Sequence, residues 1–179
     1  VEAKTVLVLR AAFEKAAGGA DVRAVVLRGN GKSFCAGGDI RMLYEQRSDP
    51  ERRFAVHFYQ EEYRLNRLTH HFPKPYVALI DGVVMGGGVG ASIHGSHRVM
   101  SERTLFAMPE TGIGLFPDVG ATHFFPRCPG HMGLYMGLTG ERIGVADALH
   151  LGLGTHYVPS SKIAALDRAL TESDYAHDA

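Results

Sequence analysis

The chain of 179 residues is predicted to fold as a single α/β domain, and three observations carry that prediction. Compact apolar runs at 24–28 and 76–80 read as buried strands. Between and around them, apolar residues recur at helical spacing. Glycine clusters follow the strand-like runs and lead into helix-like segments, the alternation that builds α/β domains.

Residues 5–17 place Val6, Leu9, Phe13 and Ala16 on one helical face, and Gly18-Gly19 closes the segment. The run 24–28 ends at Gly29-Asn30-Gly31, a turn signal, so a buried strand is expected there. A glycine-bearing loop at 34–38 follows, with Asp39 placed to cap a helix that begins at Ile40. From about 50 to 68, Phe54, Phe58, Leu65 and Leu68 mark one face of a long helix, which Pro73 and Pro75 end. Residues 76–80 form a second buried strand, followed by Asp81-Gly82 and the glycine run 86–90. Further strands are expected near 98–100 and 104–108. The chain is loop-like to Pro117, then helical around 130–138, 144–151 and 161–170, with a short strand at 157–158. The polar stretch 171–179 is expected to fray.

Composition narrows the function. Hydrophobic residues make up 45% of the chain, enough for a genuine core. Lys+Arg and Asp+Glu number 19 each, so no basic field invites nucleic acid. No apolar run reaches the roughly 18 to 20 residues that span a bilayer, and the first ten residues lack the layout of a secretory signal. Cys35 and Cys128 have no C-x-x-C spacing and suit a reducing compartment, so a cytoplasmic location is expected. The 22 glycines are clustered, which points to places where backbone approaches something closely.

Two glycine loops, Cys35-Ala36-Gly37-Gly38-Asp39 and Met85-Gly86-Gly87-Gly88-Val89-Gly90, present backbone N–H groups able to bracket one oxygen atom. Such a pair stabilises an oxyanion, where losing one donor costs about 3 to 4 kcal/mol. Taken singly, either loop reads more readily as tight strand–helix packing. A third segment, 106–120, holds Glu110 and Asp118 eight residues apart among apolar residues, with Pro109 and Pro117 just before each acid. Apolar surroundings and a second acid raise a carboxylate's pKa, which suits acid/base or nucleophilic work. The plainer alternative has Asp118 capping a following helix and Glu110 paired with an arginine such as Arg127.

The segments 34–40 (FCAGGDI), 75–82 (PYVALIDG), 85–90 (MGGGVG) and 109–120 (PETGIGLFPDVG) together resemble the crotonase (enoyl-CoA hydratase/isomerase) superfamily. The last two, with His94-Gly95 between them, most resemble its 3-hydroxyisobutyryl-CoA hydrolase branch. The match runs from about Arg23 to Pro159. The resemblance implies a spiral of ββα units and an acyl-CoA thioester hydrolase acting on a short 3-hydroxyacyl-CoA, as in valine degradation. It also implies an oxyanion hole from the N–H groups of Gly38 and Gly87, with Glu110 and Asp118 as catalytic acids. Glu62 would contact substrate, and the loop at Ala36 and Asp39 would line the CoA side, as would the region around Lys74. No cofactor beyond the substrate's own CoA and no metal are implied, and the superfamily's habit of forming trimers and pairs of trimers implies a homo-oligomer. Periodicity does not choose between Glu61 and Glu62, so the preference for Glu62 rests on similarity alone.

The departures also carry information. Enoyl-CoA hydratases have a second glutamate at the position held by Gly90, so the two-glutamate route is doubtful. Dienoyl-CoA isomerases share the eight-residue acid spacing, which keeps an enoyl- or dienoyl-CoA hydratase/isomerase as the alternative. The chain is short for this superfamily, and the N-terminal strand segment and C-terminal helices are expected to be missing from 1–179. Gly86-x-Gly88-x-x-Ala91 is a relaxed dinucleotide fingerprint, but Asp81 to Met85 are expected to separate it from its strand. Gly90-Ala-Ser92-Ile-His94-Gly95 is one residue too long for a nucleophile elbow. His94 and His97 lack a third metal ligand, and Cys35 has no histidine near it in sequence. A binding or scaffolding protein on the same fold would have little reason to keep both acids and both glycine loops.

Overall fold

A computed structural model of the chain describes residues 2–172. Helix α1 (Ala3–Gly18) precedes two strands, β1 (Val25–Arg28) and β2 (Ser33–Cys35), then α2 (Ile40–Glu45) and the long α3 (Arg53–His70). Strands β3 (Tyr76–Ile80) and β4 (Val83–Met85) lead to α4 (Gly87–Ser92), and β5 (His97–Met100) and β6 (Leu105–Ala107) lead to a 3-10 turn at Glu110–Ile113 and α5 (Ala121–Phe124). The rest is α6 (Met132–Thr139), β7 (Ile143–Gly144), α7 (Val145–His150), β8 (His156–Tyr157) and α8 (Ser160–Glu172).

Strands β1 to β6 alternate between two sheets, and β7 and β8 fall one in each. One has the order β1-β3-β5-β8 and is parallel throughout; the other has the order β2-β4-β6-β7, with β7 antiparallel to β6. Each turn of chain therefore lays one strand in each sheet and crosses back by helix, which is a spiral of ββα units. Central β3 is buried along its whole length because its two faces serve two cores. Ala78 and Ile80 pack between the sheets with Val84, Met100 and Phe106, while Val77 and Leu79 meet Ile163, Leu166 and Leu170 of α8. A third cluster joins α1 to α3 through Val6, Phe13, Phe58 and Leu65, and Phe13 meets Phe72 and Tyr76 edge-on at 5.2 and 4.8 Å. Such ring pairs are worth about 0.5 to 1.5 kcal/mol beyond their area.

Several expectations need correction. The strand at 24–28 is only half-buried, since β1 forms a sheet edge. Strands β2, β4 and β7 fall where no strand was expected, being two or three residues long and too short for periodicity to register. Because β4 ends at Met85, the glycine run does follow a strand directly. What excludes the dinucleotide unit is topology: β5, after α4, pairs with β3 in the other sheet rather than with β4. Thr171 and Glu172 continue α8, and the remainder of the expected frayed tail, 173–179, lies outside the described residues. No helix among the described residues is long and apolar enough to cross a membrane.

Candidate active site

Strands β2 and β4 are parallel neighbours, so the loops that leave them emerge side by side. Gly37 (φ 111°) turns the first loop, and Gly86 (φ 51°, ψ −122°) turns the second, conformations that L side chains rarely adopt. A Cβ on Gly87 would lie 3.4 Å from the amide nitrogen of Gly38, and one on Gly37 would lie 3.8 Å from that of Gly87. Gly87 opens α4, so its N–H has no acceptor within the helix. Neither the Gly38 nor the Gly87 N–H meets a protein acceptor among the described residues.

Three carboxylates face these loops. Glu110 begins the 3-10 turn after β6, and its carbonyl accepts the N–H of Leu115 at 3.1 Å. Asp118 closes the turn into α5 with its carbonyl, which accepts the N–H of Ala121 at 2.7 Å, and its Oδ2 accepts the Tyr63 hydroxyl at 2.8 Å. Glu62 projects from α3. A Cβ on Gly86 would come within 2.8 Å of Glu110 Oε1, and one on Gly87 within 2.5 Å of Glu62 Oε1, so bare glycines make room for both acids. Ala36, Gly38, Gly87, Glu62, Glu110 and Asp118 line one open cavity of about 320 Å³.

Exposure is 5% for Glu62 and 8% for each of Glu110 and Asp118. Burial pushes Glu62 up to about 7, with the negative charge of Asp118 adding to it. Burial pushes Glu110 up to about 7 as well, against its own backbone hydrogen bond and with help from Asp118. Asp118 is also raised by burial, opposed by the Tyr63 hydrogen bond. At neutral pH the first two are poised between forms, so the site holds acids able to give or take a proton beside unengaged amide donors.

Asp39 is the exception among the residues singled out from sequence. Its Oδ1 accepts the Met42 N–H at 2.9 Å, capping α2, and the residue borders a different hollow with Met42 and Phe54. The cap was itself legible, and Asp39 does not line the cavity. Lys74 is likewise occupied, donating to the carbonyls of Ala16 and Gly19 at 2.7 and 2.6 Å and so fastening the end of α1.

The choice between Glu61 and Glu62 is resolved by partners: Glu61 faces Arg10 at 3.0 Å and pairs with Arg64, whereas Glu62 lines the cavity. Asp118 does not cap α5 with its side chain, and Arg127 turns to the His123 carbonyl rather than to Glu110. His94 Nε2 meets the Val119 carbonyl at 2.9 Å and His97 stacks on His156 at 5.6 Å, so the two diverge. No group of three or more potential metal ligands occurs among the described residues. Tyr63, the partner of Asp118, was missed from sequence. It sits off the apolar stripe of α3, and a partner 55 positions away leaves no local signal.

The description "Enoyl-CoA hydratase/isomerase" matches residues 1–179. A mitochondrial 3-hydroxyisobutyryl-CoA hydrolase of Xenopus tropicalis is 54% identical over 82% of the chain, and the human protein of that name is 50% identical over 82%. The chain spans 38% of the length of each of these relatives. Among solved structures, an enoyl-CoA hydratase from Rhodobacter sphaeroides superposes over the whole chain and 54% of its own, with TM-score 0.92 and 38% identity. A carnitinyl-CoA dehydratase from Mycobacterium thermoresistibile does so over 95% of this chain and 50% of its own, with TM-score 0.90 and 42% identity. With the family description matched along the whole chain and relatives identical at half of the aligned positions, the chain belongs to the enoyl-CoA hydratase/isomerase family.

Proposed function

We propose that the chain carries the active site of an acyl-CoA thioester hydrolase acting on a short 3-hydroxyacyl-CoA such as 3-hydroxyisobutyryl-CoA. The observation that carries this reading is the convergence of two unengaged glycine amides and two buried acids on one small cavity. The thioester oxygen sits between the N–H groups of Gly38 and Gly87, donors aimed at the charge that develops there. Glu110 then acts in one of two ways. As nucleophile it attacks the carbonyl carbon; the tetrahedral oxyanion collapses, the C–S bond breaks, CoA leaves as thiolate, and water opens the resulting anhydride. As base it takes a proton from water whose oxygen attacks the same carbon, and the tetrahedral oxyanion collapses with cleavage of the C–S bond and loss of CoA as thiolate. Asp118 orients the 3-hydroxyl or the water, Glu62 completes the polar end of the pocket, and Ala36 borders the acyl-CoA. Asp39 acts at one remove, by holding α2. No metal or cofactor beyond the substrate's CoA enters the scheme.

A single turnover in oxygen-18 water tests the first route, since label inside the Glu110 carboxylate marks an anhydride opened at the glutamyl carbon. Hydration or isomerisation of an enoyl-CoA is the second reading, favoured by the name of the Rhodobacter neighbour. Against it, a Cβ on Gly90 would stand 2.7 Å from Val119 Cβ and 3.0 Å from Asn66 Oδ1, which leaves no room for a second glutamate. A panel of acyl-CoA esters, followed both for free CoA and for loss of enoyl absorbance, tests the two. CoA release with stable enoyl absorbance is expected, and the reverse pattern overturns the hydrolase.

The exposed apolar side chains of Phe116, Leu134 and Leu138 support a homo-oligomer, a trimer or hexamer, to be measured by sedimentation. Cys35 and Cys128 are both free, which supports a reducing compartment, and the cytoplasm is the one proposed.

A further inference from the structure

The cavity that gathers Glu62, Glu110 and Asp118 has no lysine, arginine or histidine along its wall. The two arginines packed near α3's acids are committed elsewhere, Arg10 and Arg64 both facing Glu61. Glu62 exposes only 5% of its surface and faces the cavity rather than an arginine. Glu110 Oε2 is buried without a partner. Asp118 is held by a neutral donor, the Tyr63 hydroxyl. Three acids thus share a small space with unfilled acceptor capacity and no basic side chain along its wall.

We infer that the acyl end of this site selects by charge, taking acyl groups that carry a hydroxyl or an ammonium close to the thioester and rejecting those that carry a carboxylate. The inference rests on the acyl-CoA reading above. A hydroxyl supplies the hydrogen-bond donor that the unpartnered carboxylates lack. An ammonium supplies donors and opposite charge together. A carboxylate brings no donor to the unpartnered oxygens and adds like charge where low-dielectric walls screen it least. The wall already resists its own charges, since burial holds Glu62 and Glu110 at about 7.

Three esters of equal acyl length separate the cases: 3-hydroxypropionyl-CoA, 3-aminopropionyl-CoA and malonyl-CoA. Their thioether analogues, in which a methylene replaces the carbonyl, are titrated calorimetrically against the full chain at neutral pH, and CoA release from the three esters is measured in parallel. The ammonium analogue is expected to bind at least as tightly as the hydroxyl one, and the carboxylate analogue at least tenfold more weakly. A smaller gap for the carboxylate, or weaker binding of the ammonium, overturns the inference. Binding in the expected order with no CoA released from 3-hydroxypropionyl-CoA would sink the hydrolase reading and leave charge selection standing. Release without that order would do the reverse.

Discussion

The Tyr63 hydroxyl donates to Asp118 Oδ2 at 2.8 Å, tying the middle of α3 to the loop that enters α5. This bond favours ionised Asp118, while burial of the same carboxylate favours its protonated form. Tyr63→Phe removes the favouring partner and keeps the ring. A hydrogen bond to a charged acceptor is worth about 1.5 to 3 kcal/mol when buried, and the half-exposed position of Tyr63 discounts that. About a tenfold loss in kcat/KM is expected, with the acid limb of the pH–rate profile moved to higher pH. A loss with an unmoved limb would assign Tyr63 to packing alone.

Glu110→Gln is expected to lower turnover at least a hundredfold while circular dichroism stays native. The substitution keeps the shape of the side chain and removes both its nucleophilic and its basic capacity. Near-normal CoA release would remove Glu110 from the mechanism.

Stability follows the opposite course from activity. Glu62 and Glu110 have folded pKa values of about 7 against an ordinary 4.5, so the native state holds these protons more tightly than the unfolded chain. Their contribution to stability is fully present below about pH 4.5, is lost as pH rises through 7, and stays lost above it. Melting temperature is therefore expected to fall between pH 5 and pH 8 in the parent chain. In Glu62→Gln and Glu110→Gln that fall should be smaller, and an equal fall in all three would contradict the assignment.

Asp118 raises both glutamates through its charge. Asp118→Asn should accordingly shift the remaining acid limb to lower pH, even as overall activity drops. The limb belongs to a coupled group of acids, so the shift of the whole curve is the quantity to measure. An unmoved or raised limb would show that Asp118 does not act electrostatically on its neighbours.

Neighbouring glycines are expected to fail in different ways. Gly87→Ala directs a methyl at the flexible end of Glu62, 2.5 Å from Oε1, so activity should fall at least tenfold with little loss of stability. Gly88→Ala directs it at the backbone of Cys35 and, at 2.8 Å, at Cys35 Cβ, which cannot swing away. Overpacking of that kind costs about 1 to 3 kcal/mol, read as a lowered denaturation midpoint. Equal destabilisation by both would show that the Gly87 position is structural.

Local pattern by itself determined the α/β class, the helices α1 and α3, the buried strand β3 and the two glycine loops with the acids beyond them. These follow from periodicity and from glycine and proline, which act over a few residues. Family resemblance singled out Gly38, Gly87, Glu62 and Ala36 as neighbours of Glu110 and Asp118, and all six border one cavity. Tertiary structure decided the rest. Glu61 and Glu62 are adjacent on one helix, and packing turns Glu61 to Arg10 of α1 and to Arg64 while Glu62 is left facing the cavity. Strands β2 and β4 exist because each finds the other as a hydrogen-bonding neighbour, a fact that three residues of sequence do not contain. The same holds for Tyr63 and Asp118, whose meeting depends on how the spiral winds rather than on anything near either residue.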